Sequence, residues 1–271
     1  SVISFRRQRS TINSNRHAPI LLTTNCIINY YKELNYFSLD TSDMIFSDYI
    51  QNLEQIRKRI SDITDKYDMK GDIKNGDDVR YSFFNQLYRI IMSYNFGLVD
   101  FVRNISGGKK VKELFNVESA SETSAILLDF FGFLKNGFIY SLSTLIENYF
   151  RSIYRTLFTD KNAQKEFYEI RKEVFEHFNL LKDSDYWKAL SILSNIRNCI
   201  HNNGIYISRQ SYIKIEYHGK INIFRNGEAH ESASLDNIIS VVNDIVSLVE
   251  IINEKAGYAK DISALFPIKK P

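Results

Sequence analysis

The chain has 271 residues, and 35 Lys and Arg against 32 Asp and Glu leave a formal charge of only +3, which excludes a protein that coats nucleic acid through sheer positive charge. Hydrophobic residues at 44% and charged residues at 25% are ordinary globular proportions and exclude wholesale disorder. Eleven Gly and three Pro are too few for a sandwich or barrel, which needs a tight turn about every 10 residues, so composition alone predicts a mainly helical fold.

Residues 1–19 carry Arg6, Arg7, Arg9 and Arg16 and no acid. These four arginines exceed the net charge of the whole molecule, so the basic excess is a tail, expected to be disordered or to order only on an anionic partner. No apolar run approaches the roughly 20 residues that cross a bilayer, and no apolar segment follows the early arginines in signal-peptide form. The expected location is the cytoplasm, with no membrane partner. Cys26 and Cys199 are the only thiols, which argues against a disulfide framework.

Residues 20–120 form the first predicted helical region. After Ser42 and Asp43, the positions Ile45, Tyr49, Leu53, Ile56, Ile60 and Ile63 step by three or four and mark one helix face to about residue 67. Residues 68–78 contain Gly71 and Gly76 and read as a solvated loop. A second helix over 79–106 carries Phe83, Leu87, Ile91, Tyr94, Leu98 and Phe101, and Gly107-Gly108 stops it.

The second region spans 121–258. It opens with a strongly apolar stretch from about 125 to 158, softly interrupted by Gly132 and Gly137. Leu142, Leu145, Ile146, Tyr149, Phe150 and Ile153 form its core stripe, and Glu147 and Arg151 stand one turn apart as a surface pair. An amphipathic helix over 162–181 follows. Ser184 caps the next helix, which ends at Asn202-Asn203-Gly204, residues that tolerate the left-handed conformation of a helix stop. Period-2 alternation over 212–217 and 221–224 predicts a β-hairpin, and a final helix runs over 235–255 before a tail at 259–271. The predicted fold is therefore all-α, a helical bundle with one small β-hairpin inserted before the C-terminal helix.

Several apparent signals carry no chemistry. Gly107-Gly108-Lys109-Lys110 lacks the first glycine and the final Ser/Thr of a phosphate loop. Residues 72–78 have too few correctly spaced oxygens for an EF-hand. His177 has no second histidine one turn away, and Cys199 with His201 lacks a companion ligand pair. No metal site and no cofactor are expected.

The remaining constellation is Ser194, Arg197, Asn198, His201 and Asn202 at the end of the 184–204 helix. Arg197 and His201 are four apart and share a face. A permanent cation able to hold a phosphate through two bonds, beside an imidazole able to move a proton, suits displacement at a phosphodiester. The same residues also suit a plain capping cluster, because Arg and His both favour helix C-termini.

The run Arg197-Asn198-x-x-His201-Asn202-Asn203-Gly204 resembles the signature of the HEPN superfamily, over a region from about 122 to 257, with no counterpart for the first hundred residues. The resemblance implies a helical bundle and a metal-independent endoribonuclease of the kind found in toxin–antitoxin, antiviral (phage) defence and RNA-processing systems. It assigns Arg197 to the scissile phosphate, Asn198 to the polar residue that follows the arginine and His201 to acid–base chemistry, and Asn202, Ser194 and Glu147 stand beside them as further supporting or substrate-binding candidates. It further implies a homodimer sharing one cleft, RNA as substrate through its 2′-hydroxyl, and an antitoxin or defence-system partner. Three residues separate Arg197 from His201 where the family pattern has four to six. A non-catalytic HEPN-like module that binds nucleotide, RNA or a partner protein is the alternative reading.

Overall fold

A computed structural model describes residues 39–70, 78–105, 108–158, 165–230 and 232–256. The basic tail, Cys26 and the segment 259–271 lie outside the described residues. The elements in order are α1 (Leu39–Lys70), α2 (Val79–Asp100) running into a π-helical turn (Phe101–Ile105), α3 (Lys109–Phe115), α4 (Ala120–Leu157), α5 (Phe167–His177), α6 (Asp185–His201), β1 (Tyr212–Tyr217), β2 (Lys220–Arg225) and α7 (Leu235–Ala256). The fold is all-α with a two-stranded antiparallel hairpin before the last of these helices, as the periodicities predict.

The 38-residue α4 is the axis of the molecule. Ser119 caps it by accepting a hydrogen bond from the Glu122 backbone N–H, the arrangement that satisfies an orphan donor at a helix start. Neither Gly132 nor Gly137 interrupts it. A mid-helix glycine costs about 1 kcal/mol, and the stripe of Phe138, Ile139, Leu142, Ile146, Tyr149, Phe150 and Ile153, all buried, outweighs that many times over. By length and composition α4 is also, among the described residues, the one helix that qualifies to cross a membrane. In the protein that stripe is part of the core, and Lys135, Glu147, Arg151 and Arg155 lie along the same helix.

One buried cluster runs from Leu53 and Ile60 of α1 through Phe83, Phe84 and Leu87 of α2, the α4 stripe and Ile196 of α6, to Val242, Val249 and Ile252 of α7. Gly97 of α2 lies so close to α4 that a side-chain carbon there would meet Leu134 at 3.0 Å. The core also contains a polar chain: the Tyr149 hydroxyl donates to Asn253 Oδ1 at 2.6 Å, and Asn253 Nδ2 donates to the Tyr67 hydroxyl at 3.2 Å.

Asp78 departs from the expected solvated loop. It is buried at the start of α2, accepts from the Arg80 backbone N–H at 2.8 Å, and receives the Arg80 guanidinium on both carboxylate oxygens at 2.9 and 2.6 Å. The loop composition misleads because the acid is the cap, and its own second neighbour supplies the charge that lets it be buried.

The hairpin turns through His218-Gly219, both with positive φ (47° and 72°), as a two-residue primed turn requires. Ile213 and Ile215 pack on the core from the inward face of β1. Tyr217 and Phe224 are buried, and the Tyr217 hydroxyl donates to Asp244 of α7 at 2.8 Å, which ties the hairpin to α7.

Candidate active site

Helix α6 starts at Ser184, whose hydroxyl accepts from the Trp187 backbone N–H. It stops where Asn203 and Gly204 take positive φ (56° and 85°) and the Gly204 N–H donates to the Cys199 carbonyl at 2.7 Å. The stripe of Ala189, Leu190, Leu193 and Ile196 is buried. That burial fixes the rotation of the helix and turns Arg197 toward α4.

The Arg197 Nη1 donates to Glu147 Oε2 at 2.8 Å. The other oxygen of Glu147 receives Arg151 Nε and Nη2 at 2.9 and 2.6 Å, and Arg151 Nη1 reaches the Lys165 carbonyl at 3.1 Å. Glu147 and Arg151 are thus the pair expected from their spacing, but half-buried rather than on the surface, with Arg197 as an unforeseen third member. Burial works to raise the Glu147 carboxyl, and the hydrogen bonds from Arg151 and Arg197 overcome it, holding the group below the usual carboxylate range. One carboxylate between two guanidiniums leaves a net positive charge. Arg197 Nε is buried and without a hydrogen-bond partner, so the guanidinium is held at one end and retains donor capacity.

Tyr140, about two turns before Glu147 on α4, joins the two motif residues. The Arg197 guanidinium lies 6.0 Å from the Tyr140 ring centre, and the His201 ring meets it edge-on at 5.6 Å. His201 is exposed. The remaining expected residues divide between local roles and the surface. Ser194 donates back to the Leu190 carbonyl at 2.8 Å, Asn202 Nδ2 donates to the Asn198 carbonyl at 2.7 Å, and the Asn198 side chain is exposed.

A groove of about 1090 Å³ lies between α5, α6 and β1, lined in part by Ser194, Arg197 and Asn198. His201 does not line it. The structure therefore places Arg197 between two surfaces: the groove, and the Tyr140 platform that carries His201. Sequence reading missed Tyr140, whose only signal is its place seven residues before Glu147. Among the described residues no three His, Cys, Asp or Glu side chains gather closely enough to hold a metal ion.

Compared with known proteins, the chain matches no family model, no curated protein and no solved structure.

Proposed function

We propose that the chain is a HEPN-type endoribonuclease, a toxin or phage-defence effector working in the cytoplasm and needing no metal. The observation that carries this reading is the arginine held by Glu147, a carboxylate that Arg151 in turn fixes, beside an exposed histidine, both set against Tyr140. Fixing a guanidinium before substrate arrives is the electrostatic preorganisation that phosphoryl transfer needs. In the proposed step the ribose 2′-oxygen attacks phosphorus and the bond to the 5′-oxygen breaks. The 2′-hydroxyl proton passes to a base, the leaving oxygen takes a proton from an acid, and the products are a 2′,3′-cyclic phosphate and a 5′-hydroxyl. Arg197 stabilises the added negative charge, and His201 moves one of the two protons.

The second proton transfer calls for a second histidine, which a second copy of the chain supplies in a shared cleft. Phe96 and Phe133 support this. They are sequence neighbours of Gly97 and Leu134, which approach each other on α2 and α4, and are exposed at 76% and 74%, so a second copy seated on this face would cover two rings. In sedimentation at micromolar concentration the protein is expected as a dimer, and Phe133→Glu is expected to yield a folded monomer. The short Arg-to-His spacing still leaves both groups on one helix face, as their common contact with Tyr140 illustrates.

The test is incubation of purified protein with RNA in the presence of a chelator. Cleavage that disappears in both Arg197→Ala and His201→Ala supports the enzyme. RNA or nucleotide binding without cleavage supports the second reading, a non-catalytic HEPN-like module, which is favoured by the groove reaching Arg197 and Asn198 but not His201.

A further inference from the structure

The groove contains a charge that the α4–α6 network does not account for. Arg171 of α5 lines it and is 95% removed from solvent, at 5% exposure. Its guanidinium lies 4.1 Å from the Trp187 ring centre and 5.5 Å from that of Tyr168. Among the described residues no carboxylate pairs with it, and its Nε and Nη1 are buried without a hydrogen-bond partner. The other buried arginine of the described core, Arg80, has both oxygens of Asp78. Burial lowers the Arg171 pKa to about 10, so it is still a cation at neutral pH. Two aromatic faces stabilise a cation but satisfy none of its N–H donors. A buried guanidinium without an anion is costly, and a ligand that brings one removes the cost.

The geometry points to a phosphate-binding site in this groove, with the phosphate of a small phosphorylated ligand seated at Arg171. Other lining cations are already engaged: Lys188 with Asp185 at 3.4 Å, Lys182 with Glu176 at 2.5 Å, and Arg197 with Glu147 at 2.8 Å. Lys214 of β1, exposed and lining the groove, has no ion pair among the described residues and is placed to add a second cation at the mouth. The acids Glu166, Asp183 and Glu216 also line the groove, but on its exposed rim, where water and salt screen them. That sorting, a cation in the floor and acids at the rim, fits a ligand whose anionic head enters first and whose amine- or amide-bearing body remains at the mouth. A groove of about 1090 Å³ is in the range that takes a small organic ligand. Because the site is centred on Arg171, it stands whether or not His201 cleaves RNA.

Trp187 is the only tryptophan of the chain and stacks on Arg171, so its fluorescence reports this site and no other. The experiment titrates inorganic pyrophosphate into the full chain at constant ionic strength, with acetate and chloride as parallel arms, and repeats the titration in His201→Ala. The expected result is a saturable Trp187 response to pyrophosphate at millimolar concentration or below, unchanged in His201→Ala and absent with chloride. Lys214→Ala, at an exposed position that leaves the fold intact, is expected to weaken it several-fold. Arg171→Lys, which keeps the charge and loses the planar fork, should weaken it at least tenfold. A response that is linear, equal with chloride, or unaltered in both Lys214→Ala and Arg171→Lys overturns the proposal, as does saturation by acetate in place of pyrophosphate. Loss of RNA cleavage in His201→Ala with pyrophosphate binding retained separates the two sites.

Discussion

Replacing Glu147 by Gln tests whether the carboxylate is what holds Arg197. The change preserves shape and removes the charge, so two guanidiniums that shared an anion are left facing a neutral amide. The carboxylate takes three hydrogen bonds, two from Arg151 and one from Arg197. A hydrogen bond to a charged group contributes about 1.5–3 kcal/mol when buried, but Arg197 is 29% and Glu147 19% exposed, and solvent screening reduces the net value. A loss of about 2 kcal/mol follows, or roughly 4–8 °C in Tm for a chain of this size. The pH dependence carries the signature. The folded carboxyl lies below its ordinary value, so its stabilisation is complete above the unfolded pKa of about 4.3 and is lost as pH falls through the lower folded value. The gap between the parent protein and Glu147→Gln should therefore be constant from neutral pH down to about 5 and narrow under more acidic conditions. Thermal denaturation across that range, with RNA cleavage at pH 7 in parallel, supplies the readouts. Equal Tm at pH 7 together with undiminished cleavage would refute the claim that Glu147 positions Arg197.

His201→Ala should abolish cleavage, a loss of about 10² or more, with Tm nearly unchanged because the ring is exposed; a large drop in Tm would make His201 a structural residue. Ile196→Ala, at 1% exposure on the same helix, should cost about 2–5 kcal/mol by chemical denaturation and serves as the packing control. Asp78→Ala removes both carboxylate oxygens from the buried Arg80 guanidinium and should cost about 3–5 kcal/mol; a loss below about 1 kcal/mol would contradict the buried pair. His230 is held neutral by burial, with Lys135 adding to the effect, and its pKa falls to about 4. Since it takes up a proton more readily unfolded, stability should decline as pH drops from about 6.5 toward 4, and His230→Phe should flatten that slope in urea titrations.

Helix faces were legible because each apolar stripe repeats at three and four. The stripe at Leu53, Ile56, Ile60 and Ile63 is buried where the spacing places it, and the hairpin follows its alternation to within a residue. Boundaries were less so. Helix α5 occupies 167–177 within the wider stretch read as helical, and the segment 109–124 resolves into a seven-residue helix and the capped start of α4. Polar residues in the core were not legible: Asn253 looks like a surface residue until its partners on α1 and α4 are known, and Asp78 and Arg171 look like loop and surface charges until packing buries them. The site was legible in the same partial way. The four-residue spacing of Arg197 and His201 gives their common face, and that of Glu147 and Arg151 gives a pair. The bond between Arg197 and Glu147, 50 residues apart, depends on how α4 and α6 pack. Lys188, a charged residue of α6, lines the groove and is only 33% exposed, a placement that spacing alone does not disclose.

The chain of Tyr67, Asn253 and Tyr149 has a consequence for synthesis. An amide that accepts from one ring and donates to another across 186 and 104 residues of sequence works only when α1, α4 and α7 are docked together and in register. A nascent chain that has emerged through α6 has both tyrosine rings available to pack but lacks the Asn253 amide that joins their hydroxyls, and a shift by one helical turn would break both of these buried bonds. The earlier helices can gather on the ribosome, but the register of the bundle is set only when residues 235–256 arrive.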